Sequence, residues 1–234
     1  MIERTEIEVI GYVSSCFTEK FGTPRQSGLV PSAEARLRLI EPFNRAEMVR
    51  GLEDFSHIWV HFLFHQTETD GWKTTVRPPR LGGHERIGVW ATRSPHRPNF
   101  MGLSVVRLKG IDLSKGVELV IGGVDILDGT PLLDIKPYLP SSDSIEEATE
   151  GWAVKEFAPL QVDFLAAAAM FCAEYEADTG VPLHQLISEI LREDPRPASQ
   201  REKKDTYGTR LYDVNVRWHV SGAACQVLSC EKLA

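Results

Sequence analysis

Apolar and polar residues alternate over several short stretches in the first two thirds of the chain, and this period of two predicts β-strands. The clearest stretch is residues 57–66, in which every second residue from Ile58 to Phe64 is apolar. Asn44 is placed to cap a short helix that ends near Gly51. The other predicted strands cover residues 7–14, 86–92, 103–108 and 117–124. Many short strands with few long helices predict a barrel or a sandwich.

The last third of the chain has a different pattern, which predicts a small α+β unit. Residues 165–178 are rich in alanine and form a predicted helix that ends at Gly180. Pro182 begins a second predicted helix, which runs to about residue 193. Two closing strands are predicted at residues 211–220 and 226–229. A polar segment without strand character, residues 141–159, separates the two patterns.

Charge is unevenly distributed along the 234 residues, whose formal net charge is −7. Residues 73–109 contain eight Lys or Arg and one acid, a balance of +7. Residues 110–191 contain three Lys and fifteen acids, a balance of −12. This asymmetry favours a basic functional surface beside an acidic remainder, and it makes nucleic acid a candidate partner. The alternative is that folding alone scatters these arginines.

The sequence also indicates in which cellular compartment the protein is found. No apolar run is long enough to span a bilayer, and the first residues lack the apolar core of a signal peptide. The four cysteines show neither a C-x-x-C spacing nor a disulfide framework, so reduced thiols are expected. We therefore expect a cytoplasmic protein with no membrane partner.

Three histidines, His57, His61 and His65, recur at a spacing of four. On a helix this spacing would present three metal ligands on one face. The surrounding residues predict a strand instead, and there four residues span about 13 Å, too far for a shared ion. We therefore expect no metal and structural roles for His57 and His61. His65 lies at the end of the strand and is the one expected to reach a ligand.

Arginine is joined to proline in four loops, at residues 24–26, 77–80, 96–99 and 194–197. Proline stiffens the backbone, and arginine pairs with carboxylates and phosphates through a planar fork, so these loops favour an anion-binding surface. At residues 194–197 a simple helix stop is an equal alternative. No G-x-G-x-x-G or G-x-x-x-x-G-K-[ST] loop occurs, so a nucleoside cofactor would be bound without a Rossmann half.

A tight turn at residues 128–130 is surrounded by acids and one lysine: Asp125, Asp128, Asp134 and Lys136. The lysine and the irregular spacing argue against a calcium loop. The turn either hydrogen-bonds hydroxyls or amines of a ligand, or it is a plain Asp-Gly hairpin.

Long strings of residues occur in a fixed order from near residue 10 to near residue 218. They include F-x-x-P-R-Q-x-G-L-V at 21–30, F-S-H-I-W at 55–59, F-H-Q at 64–66, T-V-R-P-P-R-L-G-G at 75–83, A-T-R-S-P-H-R-P-N at 91–99, and D-G-T-P-L-L-D-I-K-P-Y-L-P at 128–140, followed by D-P-R-P and V-N-V-R-W. Taken together, these strings resemble the TsaA/TrmO family, also called the YaeB family. The chain departs from the family pattern at Phe100-Met101 and at Ser199.

The resemblance implies an S-adenosylmethionine-dependent methyltransferase that acts on N6 of threonylcarbamoyladenosine at position 37 of tRNA, beside the anticodon. It further implies a homodimer with the cofactor near the subunit interface. The expected fold is mainly β with α+β. It consists of an N-terminal, cofactor-binding β-barrel domain over residues 1–145, a linker over 146–158 and a small α+β C-terminal domain over 159–234.

Site residues follow from the same resemblance and from the chemistry. The implied cofactor contacts are Pro24, Arg25, Gln26, His65, Gln66, Arg93, Leu103, Asp128, Gly129 and Thr130. Methyl transfer from a sulfonium needs positioning, a base and a cation rather than a metal. The candidate bases are Asp134 and Asp194, the candidate cations are Lys136 and Arg196, and Arg97 and Tyr138 are further catalytic candidates. Arg77, Arg80 and Arg86 are expected to hold tRNA phosphates.

Two other functions stay open from the sequence. One is a methyltransferase with the same cofactor but another RNA or a small molecule as acceptor. The other is a non-catalytic module that binds S-adenosylmethionine or RNA, which would show cofactor affinity without turnover.

Overall fold

The computed structural model describes residues 5–154, 158–197, 200 and 205–233, apart from the side chains of Arg80 and Val154. The strands are β1 (Gly11–Ser15), β2 (Glu34–Leu39), β3 (His57–Leu63), β4 (Thr75–Val76), β5 (Ile87–Gly88), β6 (Met101–Asp112), β7 (Glu118–Gly122), β8 (Pro131–Pro137), β9 (Gln161–Phe164), β10 (Thr206–Leu211), β11 (Val214–Ser221) and β12 (Ala224–Lys232). The α-helices are α1 (Pro140–Asp143), α2 (Ala166–Thr179) and α3 (Leu183–Arg192). Ser199, one of the two departures from the family pattern, lies outside the described residues.

Six strands close into a barrel in the order β1-β2-β7-β6-β3-β8, and all neighbours are antiparallel. In β3 the residues Ile58, Val60 and Phe62 point inward and are at most 4% exposed. The residues between them therefore face outward. Gly102 of β6 lies opposite Phe62, and a Cβ there would be 2.3 Å from the Phe62 ring. Only glycine lets β6 approach β3 this closely.

The C-terminal part of the chain forms a four-stranded sheet in the order β10-β11-β12-β9. β9 runs parallel to β12, whereas the other pairs are antiparallel. α2 packs on β12 and α3 packs on β9. Trp218 of β11 is completely buried, and its indole Nε1 donates a hydrogen bond to the Thr209 hydroxyl at 2.9 Å.

Direct contacts join the barrel to the C-terminal sheet. The backbone N–H of Tyr212 donates to the Cys16 carbonyl at 2.9 Å, beside a β-bridge between Phe17 and Leu211. The Glu189 carboxylate on α3 accepts hydrogen bonds from the backbone N–H and the hydroxyl of Ser32, at 2.9 and 2.7 Å. The C-terminal part of the chain therefore holds the long loop between β1 and β2 at its start, through Cys16 and Phe17, and near its end, through Ser32.

The structure confirms the predicted fold class, which is mainly β with a closed barrel and few helices. The strand predicted at residues 57–66 is β3, and the two predicted C-terminal helices are α2 and α3. Gly180 ends α2 in a left-handed conformation, with φ 74°. The domain boundaries at residues 145 and 159 stay a prediction.

Three other expectations are wrong or incomplete. Residues 86–92 form only the two-residue strand β5, because the chain turns into a 3-10 helix at Val89–Ala91 directly after it. Asn44 caps no helix. Its side-chain oxygen accepts a hydrogen bond from the Val117 N–H at 2.6 Å, and the segment forms two 3-10 turns, Ala46–Val49 and Leu52–Asp54. The sequence pattern did not predict β2, β4, β8, β9 or β10.

The longest helix in the described part of the chain is α2, with 14 residues. None of the described helices has the length and apolar character to cross a membrane.

Candidate active site

A cleft of about 740 Å³ lies against the outer side of the barrel, alongside β3 and β6. The outward-facing side chains of Trp59 and His61 on β3 and of Leu103 on β6 form one wall. The opposite side comes from loops around residues 20–27 and 92–97. This volume falls within the range of small-molecule sites, about 300–1,000 Å³.

Most of the predicted cofactor contacts meet in this cleft. Eight of the ten line it: Pro24, Arg25, Gln26, His65, Gln66, Arg93, Leu103 and Thr130. They come from five separate stretches of the chain, and the fold brings them together. Their contact with the cofactor stays a prediction.

The other two, Asp128 and Gly129, lie beside the cleft rather than in its lining. The Asp128 carboxylate accepts a hydrogen bond from the Ser15 N–H at 3.0 Å, and the Gly129 N–H donates to the Val13 carbonyl at 2.8 Å. The turn is thereby fixed to β1, and it places Thr130 at the cleft.

His65 follows the end of β3 and faces Thr130, with 3.4 Å between its Nδ1 and the threonine hydroxyl. Burial lowers the pKa of the His65 imidazole, and the nearby positive charge of Lys20 lowers it further. The ring is therefore neutral at physiological pH and can exchange hydrogen bonds with a ligand.

The arginines of the cleft are held by neighbouring loops. Arg93 contacts the Gln26 side chain, and Arg97 donates to the Thr92 carbonyl at 3.1 Å. Arg25 donates to the carbonyls of Asp194 and Arg196, at 3.1 and 3.4 Å. Arg25 thus links the cleft to the D-P-R-P loop that precedes β10.

Asp194 and Arg196, two predicted catalytic residues, form an ion pair with each other. The Arg196 Nε lies 2.7 Å from Asp194 Oδ1, and its Nη2 lies 3.0 Å from Oδ2. The two residues are 9% and 4% exposed and are not part of the cleft lining. Hydrogen bonding to Asp194 raises the pKa of the Arg196 guanidinium. The pair is connected to the cleft through Arg25, which lines the cleft and donates to the backbone carbonyls of both residues.

The other predicted catalytic residues lie on two sides of the cleft. Arg97 is part of the lining. Asp134 and Lys136 are exposed on β8, where they pair in register with His61 and Trp59. The ring of Tyr138 lies 5.7 Å from the Trp59 ring and is tilted by 55° to it. They therefore stand on the strand next to the cleft wall rather than inside it.

The three arginines predicted to bind phosphate belong to the segment from β4 to β5. Arg77 and Arg86 are exposed, and Arg86 donates to the Thr75 hydroxyl at 3.1 Å. The side chain of Arg80 lies outside the described part of the chain.

Two of the lining residues that sequence reasoning did not assign to the site are His61 and Asp125. His61 received a structural role, yet it points outward from β3 into the cleft. The strict alternation of β3 could have revealed this, because His61 lies between the inward-facing Val60 and Phe62. Asp125 was noticed only as part of the acidic turn, and it lines the cleft floor. Among the residues that the structure describes, no group of three or more His, Cys, Asp or Glu could hold a metal ion.

Comparisons with known proteins agree with this arrangement. Two family models match the chain, one for the tRNA-methyltransferase O N-terminal domain over residues 12–144 and one for the TrmO C-terminal domain over residues 157–233. A tRNA (adenine(37)-N6)-methyltransferase of Escherichia coli K12 is 47% identical, over 97% of each chain. A TrmO crystal structure from Pseudomonas aeruginosa is 37% identical with a TM-score of 0.83, covering 99% of each chain. Another TrmO crystal structure has 39% identity and a TM-score of 0.83, over 97% of this chain and 99% of that one.

A closed barrel with a small-molecule cleft on its outer side, and these matches, define the class: a methyltransferase built on a β-barrel instead of a Rossmann sheet. The chain belongs to the tRNA-methyltransferase O (TrmO) family. This confirms the family and the enzyme class that the sequence predicted.

Proposed function

We propose that this protein methylates N6 of threonylcarbamoyladenosine at position 37 of tRNA, in the cytoplasm. The methyl donor is S-adenosylmethionine. The observation that carries the proposal is the convergence of eight predicted cofactor contacts, distant in sequence, on one cleft. Membership of the TrmO family supports methylation of adenosine 37. Four free, buried thiols fit the cytoplasm.

The cleft fits S-adenosylmethionine chemically. Its walls offer apolar surface for the adenine ring, from Leu103, Phe64 and Leu127. Arg25 and Arg93 can pair with the carboxylate of the cofactor's methionine part. When bound, the cofactor supplies a methyl group activated by the adjacent sulfonium. The chain's own residues hold both reactants in line and manage the proton of the acceptor.

The acceptor nitrogen explains the choice of substrate. N6 of threonylcarbamoyladenosine bears a carbonyl, which makes its proton easier to remove than that of free adenine. We favour Asp134 over Asp194 as the base, because the Asp194 carboxylate is enclosed by the Arg196 fork, whereas Asp134 is exposed. Asp134 pairs in register with His61, a lining residue of the cleft, so their Cβ atoms are about 5 Å apart. Lys136 stands two residues away and can stabilise the developing negative charge.

Anions of the tRNA would be bound at the rim. The threonyl carboxylate of the substrate fits Arg97 and, if the ion pair with Asp194 opens, Arg196. The exposed Arg77 and Arg86, with Arg80, would hold phosphates of the anticodon stem-loop.

We further propose a homodimer whose interface adjoins the cleft. The cleft lies on an outer barrel wall where Leu103 remains 49% exposed, and Trp90 in the neighbouring basic segment is 81% exposed. Exposed apolar side chains of this size fit a surface that a second subunit covers.

The test is methylation in vitro of two otherwise identical tRNAs, with and without the threonylcarbamoyl group, followed by mass spectrometry of the nucleosides. Methyl incorporation confined to the modified tRNA is the expected result. Equal incorporation into both tRNAs, or into a different base, would indicate another acceptor. Cofactor binding with no turnover on either tRNA would indicate a non-catalytic module.

The role of Asp134 is tested by Asp134→Asn beside Asp194→Asn. Asp134→Asn should lower the single-turnover rate with both reactants saturating, on the order of 10²-fold, because general base catalysis contributes that much. A loss confined to Asp194→Asn would reassign the base to Asp194.

A further inference from the structure

The side chains of the cleft are unequal in charge. Four are basic: Lys20, Arg25, Arg93 and Arg97. Among the described lining residues, Asp125 is the one acid. The cofactor, in contrast, carries both signs: an α-carboxylate, an α-ammonium and a sulfonium. The basic residues suit its carboxylate and the anions of tRNA, but they repel its two cations.

Asp125 lies two residues after the buried Gly123, between β7 and the turn at Asp128. Its Oδ1 atom is fully buried and has no hydrogen-bond partner among the described residues. A buried oxygen left without a partner is costly, so folded proteins rarely leave one unless a ligand or water satisfies it. The position therefore calls for a donor or a cation from outside the chain.

The surroundings of Asp125 prepare its carboxyl group for such a ligand. Burial raises the pKa of the Asp125 carboxyl. The nearby Ser104 hydroxyl, the backbone of Asp125 and Ser27 and the positive charge of Arg93 lower this pKa by a smaller amount. A cation placed beside the group would add to these effects and favour the ionised form.

We propose that the Asp125 carboxylate binds a cationic group of S-adenosylmethionine and thereby fixes the direction in which the cofactor lies in the cleft. This role goes beyond the ten implied contacts and rests on the proposed placement of the cofactor. With the cation at Asp125, the carboxylate of the cofactor is left to the basic residues of the lining. The cation that Asp125 binds is either the sulfonium or the ammonium of the cofactor, since both carry a positive charge.

The two sources differ in their consequences for turnover. The product, S-adenosylhomocysteine, keeps the ammonium but has lost the sulfonium charge. A carboxylate beside the sulfonium therefore favours the substrate over the product and assists release after transfer. A carboxylate beside the ammonium binds substrate and product equally.

The test is isothermal titration calorimetry of the full-length wild type and the Asp125→Asn variant with three ligands. S-adenosylmethionine carries both cations, S-adenosylhomocysteine carries the ammonium, and 5′-methylthioadenosine carries neither. The variant should bind S-adenosylmethionine about 10- to 100-fold more weakly, the loss expected for a partly buried charge pair, with unchanged affinity for 5′-methylthioadenosine. A loss with S-adenosylmethionine alone identifies the sulfonium, and a loss with S-adenosylhomocysteine as well identifies the ammonium.

The matched control is Asp112→Asn, which removes an exposed carboxylate from the far end of β6, outside the cleft. It should leave all three affinities unchanged, and thermal unfolding of both variants verifies the fold. If Asp125→Asn weakens the binding of all three ligands equally, or of none of them, Asp125 does not bind a cationic group of the cofactor. If instead the wild type binds S-adenosylmethionine and Gln26→Ala and His65→Ala leave its affinity unchanged, the proposed cofactor site itself is wrong.

Discussion

At the scale of single residues, burial and charge act in opposite directions on the acid in the cleft. Burial holds the pKa of Asp125 above its ordinary value. The ionised form is the one that attracts a cation, so the protein loses cofactor affinity when this group takes up a proton. The other charged groups that face the cleft are Lys20, Arg25, Arg93 and Arg97, and two histidines, His61 and His65, face it as well.

We therefore expect the affinity for S-adenosylmethionine to be constant above the raised pKa of Asp125. It should fall as the pH is lowered through that pKa, by up to about tenfold per pH unit. The pKa of His65 is lowered by burial, so its charge changes only below the usual histidine range. Titration calorimetry across a pH series measures the profile. Asp125→Asn should lose this slope while keeping any slope from the histidines, and superimposable profiles would contradict the assignment.

A second residue-scale prediction concerns Gly102, where β6 lies close to the Phe62 ring of β3. Gly102→Ala would place a Cβ 2.3 Å from the Phe62 ring, so the ring or the backbone must shift. We expect the free energy of unfolding to fall by roughly 1–3 kcal/mol, measured by urea denaturation. Gly110→Ala in the same strand is the control, because no atom lies within 4 Å of its added Cβ. Equal stability of the two variants would show that the barrel relaxes at Gly102.

At the scale of elements, the connection between the two-residue strands β4 and β5 carries the exposed Arg77, directly after β4, and the exposed Arg86, directly before β5. Each phosphate contact releases counterions, so Arg77→Ala or Arg86→Ala should weaken tRNA binding. Each should reduce the salt slope of log K by about 0.7–0.9. Arg38→Ala on β2 is the control, since Arg38 pairs with Glu118 on another side of the barrel. Binding measured across a salt series would refute the assignment if all three slopes match that of the wild type.

Arg97 and the D-P-R-P loop are predicted to act differently. Arg97→Ala or Arg196→Ala should lower the single-turnover rate of methylation with tRNA saturating, because help given in the transition state is removed. Arg196→Lys should recover little, since lysine cannot replace the two-armed contact with Asp194. If the variants lose only tRNA affinity and keep the rate at saturating tRNA, both arginines serve tRNA binding and not the methyl transfer.

Sequence patterns predicted some elements and not others for physical reasons. β3 was predictable because the barrel interior demands an apolar residue at every second position. β2 has the same period of two, with Ala35 and Leu37 buried between polar residues, so its alternation was available in the sequence although it was not used. Most residues of the cleft could be named in advance because they lie in the long strings that resemble the TsaA/TrmO family. Asp125 did not, because its character depends on which carboxyl oxygen the fold buries.

At the scale of the whole molecule, the proposed dimer makes a measurable prediction. Light scattering on a sizing column should give about twice the 26.2 kDa mass of one chain at micromolar concentration. Specific methylation activity should fall on dilution below the dissociation constant, since a cleft at an interface would lose one of its walls. A monomeric mass with full specific activity would contradict the dimer.

The parallel pairing of β9 with β12 also sets an order of events during synthesis. The barrel needs nothing beyond β8, which ends at Pro137, whereas Gln161 must wait for Ala224 to emerge before the second sheet is complete. The barrel can therefore fold while the chain is still attached to the ribosome and the C-terminal part is still being synthesised. Until translation passes the D-P-R-P loop, Arg25 has no carbonyls of residues 194 and 196 to hold it. The fold thus delays completion of one edge of the cleft until after the barrel has formed.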